Sequence, residues 1–204
     1  MGKKPVIVID ELQMLKEIYT NGGRGLLEKL FNFFVTITKS KHLAQVICMS
    51  SDSLFIDEIY NNSVLKKTSK FYLFNSFDKK TTVEWLVAEG INEKTAKRVF
   101  EKVGGECWYL QEYLKDPENL DEMIKSEESF FEFYLGGLEK AKMKRIEAFL
   151  SVFKKKEEIS FGKRTTDIDL MKELVKEEIL FYDPNSKGVK PQSRLMLNVL
   201  RKVV

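Results

Sequence analysis

The sequence predicts an α/β protein: a parallel-sheet part comes first, a helical part follows, and helices with a small hairpin end the chain. Three observations support this class. Two apolar runs, 6–9 and 44–49, flank a stretch with helical spacing. Strand signals then stop after residue 76, and they return only at 179–189, around a turn rich in Asp, Pro, Asn, Ser and Gly.

The first third predicts a parallel strand–helix–strand unit. The continuous β-branched run 6–9 is typical of a central strand that is covered on both faces. The helix between the strands has apolar residues at Leu27, Leu30, Phe31, Phe34 and Ile37. Such a unit closes as a right-handed parallel crossover. A short helix at 54–60 and a third strand at 71–74 complete this part, to which we assign residues 1–75.

Residues 76–137 predict a helical domain. Thr81 and Glu84 have the spacing of a capping box, and Asn92 is placed to begin the next helix. Gly90 and Gly104 are placed to end helices. An amphipathic stretch from 120 to 135 leads to a glycine pair at 136–137, which we interpret as a hinge.

Residues 138–204 predict a winged-helix domain. Helical patterns cover 139–154 and 167–178, and short strands are expected at 179–182 and at Val189, with a helix from Ser193. This part is basic: residues 139–204 contain 16 Lys and Arg against 10 Asp and Glu, whereas the whole chain has a net charge of +3. The basic residues are consistent with a DNA or protein partner that binds through 138–204, and the alternative is a solvated lysine face.

The composition argues against a membrane-spanning protein and against a disulfide-linked one. No apolar run approaches the roughly 20 residues of a membrane helix, so we expect a cytoplasmic protein with no membrane partner. The two cysteines, Cys48 and Cys107, are too few for a disulfide framework and form no CxxC site, so we expect reduced, structural thiols.

Asp10 and Glu11 follow the first apolar strand directly. In α/β sheets, ligands bind beyond the carboxyl ends of the strands. One carboxylate there can hold Mg²⁺, and the next can deprotonate a water that attacks a γ-phosphate. A strand that runs into a solvated turn is the alternative, because short motifs also match by chance.

Ser50 and Ser51 follow the second apolar run. In a parallel sheet they would lie beside Asp10 and Glu11, where a hydroxyl can bind the attacking water or the γ-phosphate. The alternative role is a helix N-cap before Leu54, and the two roles are compatible.

These residues resemble the archaeal ATPases of the STAND class, which belong with the AAA+ group of P-loop NTPases. The resemblance uses DELQ at 10–13, the serine pair, FYLFNSFD at 71–78, and Gly104 and Gly105 followed by Tyr109 and Leu110. It implies an AAA+-like P-loop core with the Walker B and sensor strands, a helical lid and a C-terminal winged helix.

The resemblance also implies roles for individual residues. Asp10 would bind Mg²⁺, Glu11 would activate water, and Ser50 or Ser51 would sense the γ-phosphate of ATP. Gly104 and Gly105 would open a lid helix that faces the nucleotide. Cys107 departs from the family, which usually has a proline contacting the adenine at this place.

A larger departure is the lack of a Walker A loop. Neither Gly2-Lys3 nor Gly162-Lys163 is followed by Ser or Thr, and GxxxxGK[ST] does not occur in the 204 residues. In the family, this loop and its strand precede DELQ. The resemblance therefore implies the C-terminal portion of an ATPase, inactive until the missing segment is supplied.

The missing strand would lie between 44–49 and 71–74, which leaves two open strand edges. We expect direct pairing of these strands, exchange with a second copy in a homo-oligomer or strand-swapped dimer, or rearrangement of 1–75. The rival function is a DNA-binding or protein-interaction module with a vestigial ATPase core. Its candidate DNA contacts are Lys142, Lys144, Arg145, 154–156, Lys163 and Arg164.

Overall fold

The computed structural model describes residues 3–16, 24–62, 64–160 and 167–204. Contacts divide the chain into two compact units. The first comprises Met1–Leu73 with Tyr182–Ser186, and the second comprises Phe74–Phe181 with Lys187–Val204. Each unit has its own apolar core.

The first unit contains a two-stranded parallel sheet. Strands β1 (Val6–Ile9) and β2 (Gln45–Cys48) pair in the register Val6 to Gln45 through Ile9 to Cys48. Helix α1 (Arg24–Val35) lies between them in sequence, and α2 (Ser53–Asn62) follows β2. Short 3-10 turns cover Leu12–Leu15 and Val64–Lys67, and a π-helical turn covers Thr36–Ser40. The predicted strand–helix–strand order is confirmed.

The core of this unit forms where α1 and α2 meet the turn after β1. Its buried members are Leu12, Leu27, Phe31, Phe34, Phe55 and Ile59. Three of them, at 27, 31 and 34, occur at the i, i+4, i+7 spacing of one helix face, so the helical periodicity identified them correctly.

Two predictions for this unit are wrong. β1 is not covered on both faces, since Val6 is 52% and Val8 56% exposed. Residues 71–74 form neither helix nor strand, so 44–49 does not pair with them directly. Among the described residues the first sheet contains only β1 and β2, and without a paired neighbour the backbone of 71–74 has no partner for a strand ladder.

The second unit begins with four helices: α3 (Lys79–Ala88), α4 (Glu93–Val103), α5 (Cys107–Lys115) and α6 (Leu120–Gly136). Asn92 caps α4 and Gly104 ends it, as predicted. The capping box at Thr81 is wrong, because Asp78 caps α3 by accepting a hydrogen bond from the Thr81 N–H at 2.7 Å. The helix therefore begins one turn earlier than predicted.

The chain continues with α7 (Lys140–Leu150), β3 (Ile159–Ser160), α8 (Ile168–Lys176), β4 (Leu180–Asp183), β5 (Gly188–Pro191) and α9 (Arg194–Val203). The three strands form a sheet in the order β3-β5-β4, with β3 antiparallel to β5. Ser193 caps α9 by accepting from the Met196 N–H at 3.0 Å. The predicted strands near 179–182 and 189 and the helix from Ser193 are confirmed.

Helix α9 packs against α4 and α6. The Asn198 amide donates to the backbone oxygens of Glu101 and Lys102 at 2.9 Å, and Lys202 pairs with Glu128 at 2.6 Å. These bonds join the segments 76–137 and 138–204 within one compact unit. None of the described helices has the length and apolar composition needed to cross a membrane.

Candidate functional site

The carboxyl ends of β1 and β2 lie side by side. The Met49 N–H donates to the Ile9 oxygen at 2.8 Å, and the Leu12 N–H donates back to the Met49 oxygen at 2.9 Å. The two bonds hold together the segments that follow the strands, which carry the predicted acidic residues and the predicted serines. In α/β sheets this edge is where ligands bind.

Gln13 connects Glu11 to both serines. Its Nε2 donates to Glu11 Oε2 and, at 3.0 Å, to Ser51 Oγ. Its Oε1 accepts from the Ser50 hydroxyl at 2.7 Å. A side-chain amide can donate and accept at once, which neither a carboxylate nor an ammonium group can do. The sequence prediction used Gln13 only as part of the DELQ motif and gave it no role of its own.

The backbone at Glu11 is in the left-handed region, with φ 53° and ψ 44°. For a residue with a β-carbon this conformation costs about 1–2 kcal/mol. The Glu11 N–H donates to Asp10 Oδ1 at 2.8 Å, and both residues are exposed. The turn thus ends β1 sharply and leaves both carboxylates accessible.

Asp10 and Glu11 supply oxygen ligands of the kind that Mg²⁺ prefers. This ion commonly binds one or two carboxylates and takes its other ligands from water and substrate phosphates. In the described residues no group of three or more His, Cys, Asp or Glu could enclose a metal. Exposed carboxylates at a strand end have the chemistry to bind Mg²⁺ that arrives with a phosphate, and the role of Asp10 as its ligand stays a prediction.

The serines do not cap helix α2. Asp52 does, because its Oδ1 accepts from the Phe55 N–H at 2.9 Å, while Oδ2 pairs with Lys16 Nζ at 2.5 Å. Ser50 Oγ accepts from the Asp52 N–H at 3.2 Å. The N-cap alternative for the serine pair is therefore wrong, and both hydroxyls bond to Gln13.

Gly104 and Gly105 are buried in the second unit. A β-carbon on Gly104, whose φ is 81°, would lie 2.6 Å from Arg194 Cβ. A β-carbon on Gly105 would lie 1.9 Å from the Phe77 oxygen, and the Gly105 oxygen accepts from the Phe77 N–H at 2.9 Å. Packing alone requires glycine at both positions, and their role toward a nucleotide stays a prediction.

Trp108 lies at the start of α5, where the sequence favours a core anchor over a ring that stacks on adenine. That prediction is wrong, because Trp108 is 65% exposed and packs edge-on against the Tyr109 ring at 5.2 Å. Tyr109 is partly buried against the core and its hydroxyl donates to Glu127 at 3.2 Å. Cys48 and Cys107 are both free and exposed, so neither thiol is a buried structural group.

Two carboxylates of the second unit are partly removed from water. Burial raises the pKa of Glu127, the Tyr109 hydrogen bond offsets part of this, and the nearby charge of Glu178 adds a smaller increase. Burial likewise raises the pKa of Glu106, against a lowering by Ser76 and Lys190. Both shifts follow from the cost of placing a negative charge in an apolar surrounding.

Several basic residues of 138–204 are already paired within the chain. Arg145 forms two bonds to Asp167 at 2.5 and 2.6 Å, and Lys142 pairs with Glu173 at 2.6 Å. Of the other predicted DNA contacts, Lys163 and Arg164 lie outside the described residues. The surviving candidates are Lys144 and the exposed run 154–156.

Comparison with curated proteins finds relatives that are named ATP-binding proteins. The uncharacterized ATP-binding protein MJ0625 of Methanocaldococcus jannaschii is 38% identical over all of this chain, which covers 62% of that protein. The uncharacterized ATP-binding protein PYRAB06260 of Pyrococcus abyssi is 36% identical, again over all of this chain and 59% of its own length. The chain thus spans about 60% of these relatives.

A solved structure has a similar fold. The Walker-type ATPase PABY2304 of Pyrococcus abyssi superposes with a TM-score of 0.62 at 19% identity, over 97% of this chain and 63% of that one.

The family described as "Uncharacterized ATP-binding protein MJ1010-like, C-terminal domain" matches residues 117–204. The family described as "ATPase domain predominantly from Archaea" matches residues 1–113. The chain therefore belongs to this archaeal ATPase family.

Proposed function

We propose that the chain forms the hydrolytic edge, the helical lid and the C-terminal domain of a STAND-type, AAA+-like P-loop ATPase. The observation that carries this proposal is the junction of Glu11, Gln13 and Ser51 at the carboxyl end of a parallel strand pair. The names of the relatives, which are ATP-binding proteins, agree with it.

In this proposal Glu11 is the general base. Its carboxylate takes the proton of a water that attacks the γ-phosphate in line, and the hydroxyl of Ser50 or Ser51 binds a γ-phosphate oxygen. Asp10 holds Mg²⁺, which, when bound, neutralises charge on the phosphates. Gly104 and Gly105 lie just before α5. We propose that α5 is the lid helix that faces the nucleotide.

The phosphate-binding loop is not among the 204 residues, so the proposal requires it from elsewhere. β2 pairs with β1 only, within the part of the chain described, and its other edge is open. Ile47 of β2 is 48% exposed. An open edge with exposed apolar residues supports the addition of a further strand, whether from a Walker A segment or from a strand-swapped second copy.

The C-terminal domain is proposed as a winged helix that follows the nucleotide state together with the lid. Support comes from α9, whose Asn198 bonds to Glu101 and Lys102 at the carboxyl end of α4, six and five residues before the start of α5. The DNA-binding rival draws no support from Lys142 and Arg145, since ion pairs within the chain account for both.

The test compares this chain with a fusion in which the part of MJ0625 outside the match precedes residue 1. We expect the chain alone to show negligible ATP binding by calorimetry, and the fusion to bind ATP and release phosphate. Glu11→Gln in the fusion should lower turnover by about 10²–10⁴ while it retains ATP binding.

Two outcomes would count against the proposal. If the chain alone hydrolyses ATP and Glu11→Gln abolishes this, no separate loop is needed. If the fusion folds but binds no ATP, the assignment of a nucleotide site fails. Light scattering of both proteins shows whether the fusion replaces a strand-swapped dimer by a monomer.

A further inference from the structure

Gln13 is placed to control Glu11, and we propose that it is a positioning residue that fixes the general base. The proposal rests on the proposed function, since it assigns Gln13 a part in the same reaction. Its basis is geometric: one amide contacts the carboxylate of Glu11 and both serine hydroxyls.

The bond from Gln13 Nε2 occupies Oε2 of Glu11. An exposed glutamate on a turn otherwise samples several rotamers, and a base is effective only when one oxygen points at the water. Because Gln13 occupies Oε2, the other oxygen of the same carboxylate is the one that faces the water. Gln13 therefore orients the base without touching the nucleotide.

The serines have different parts in this arrangement. The single proton of the Ser50 hydroxyl is used in the bond to Gln13 Oε1. Ser51 accepts from Gln13, so that bond does not use the Ser51 proton. We assign Ser50 to orienting the Gln13 amide and Ser51 to donating to a γ-phosphate oxygen.

The first test uses the full 204-residue chain without nucleotide. Nuclear magnetic resonance measures hydrogen exchange of the glutamine side-chain amides, with exposed Gln111 of α5 as the internal reference. We expect the Gln13 amide to exchange more slowly than that of Gln111, and Ser50→Ala to bring the two rates together. Equal rates in the unmodified chain, or no effect of Ser50→Ala, would overturn the proposal.

The second test uses the fusion. Gln13→Met removes the amide with little change of size, and Gln13→Glu keeps an acceptor for Ser50 but removes the donor to Glu11. We expect either variant to lower kcat by about 10- to 100-fold, the usual effect of losing a residue that orients a reactive group. The KM for ATP should stay within about threefold, because the proposal has Gln13 act on Glu11 and the serines and not on the nucleotide. Gln111→Met is the matched control and should leave both constants unchanged.

A double-mutant cycle separates positioning from a general structural effect. If Gln13 acts through Glu11, Gln13→Met should change turnover by less than about twofold in a Glu11→Gln background. An equal loss in both backgrounds, or a loss of ATP binding, would overturn the proposal. A fusion with no ATPase activity before any substitution counts against the proposed function instead, and the exchange measurement then decides the role of Gln13.

Discussion

The β-carbon of Arg194 lies 2.6 Å from the point where a side chain on Gly104 would place its own β-carbon. Arg194 is the first residue of α9, and Gly104 ends α4. The arginine also pairs with Glu101 at 3.1 Å and lies over the Phe100 ring at 5.5 Å. The absence of a side chain on Gly104 thus permits the close approach of the two helices.

Gly104→Ala should therefore destabilise the second unit by more than backbone strain alone. Gly90 is the matched control, because its φ is 91° and, beyond its chain neighbours, no atom of the described residues lies within 4 Å of its missing β-carbon. Gly90→Ala should cost about 1–2 kcal/mol from strain. Gly104→Ala should add about 1–3 kcal/mol from overpacking.

Urea unfolding followed by tryptophan fluorescence measures both losses, since Trp85 and Trp108 are both in the second unit. Arg194→Ala should not relieve Gly104→Ala, because alanine retains the atom that clashes. Equal losses for the two glycine variants would show that α9 moves aside without cost.

Gly105→Ala should be the more damaging change of the neighbouring pair. Its β-carbon would lie 1.9 Å from a backbone oxygen of Phe77, which no rotamer change can remove. The bond from the Phe77 N–H to the Gly105 oxygen should be lost as the segments separate. We expect Gly105→Ala to lower the free energy of unfolding by more than about 3 kcal/mol, a loss typical of core disruption. A loss equal to that of Gly90→Ala in the same assay would contradict the packing.

Asp52 should stabilise α2 mainly as a cap. Asp52→Ala removes the acceptor for the Phe55 N–H and should cost about 0.5–2 kcal/mol. Asp52→Asn keeps a cap oxygen and loses only the charge toward Lys16, so it should cost less than about 1 kcal/mol. Amide hydrogen exchange at Phe55 measures the effect locally. Equal loss of protection in both variants would assign the stability to the ion pair instead.

Glu127→Gln should stabilise the second unit at neutral pH. The folded pKa of Glu127 is raised, so the folded state binds its proton more tightly than the unfolded state does, and stability falls as pH rises from the unfolded value toward the folded one. The amide removes the charge and can still accept from Tyr109.

The gain from Glu127→Gln should be complete above the folded pKa and disappear below about pH 4, where the unfolded carboxyl is also protonated. Urea unfolding at several pH values measures it. Glu132→Gln, an exposed change on the same helix, should stay within about 0.5 kcal/mol at every pH. A gain that persists at low pH would rule out the charge as its cause.

Much of the fold was predictable because its signals are local. Helical spacing identified Leu27, Phe31 and Phe34, and Asn92 and Ser193 cap the helices that they were expected to begin. A helix cap depends on one side chain and on backbone groups three residues away, so a short stretch of sequence is enough to predict it. The apolar runs at 6–9 and 44–49 are also local signals, and the helical spacing between them predicted that the two strands pair in parallel.

Contacts between distant residues were decided only in the tertiary structure. Trp108 is apolar in the sequence yet faces solvent, and 71–74 has strand-forming residues but no described neighbour to pair with. Gln13 meets Ser50 and Ser51 only because β1 and β2 align in register, and Gly104 meets Arg194 only because α9 packs on α4. The sequence by itself determined which carboxylates and hydroxyls follow the strands. Register and helix packing, which depend on residues far apart in the chain, determined which of them bond to one another.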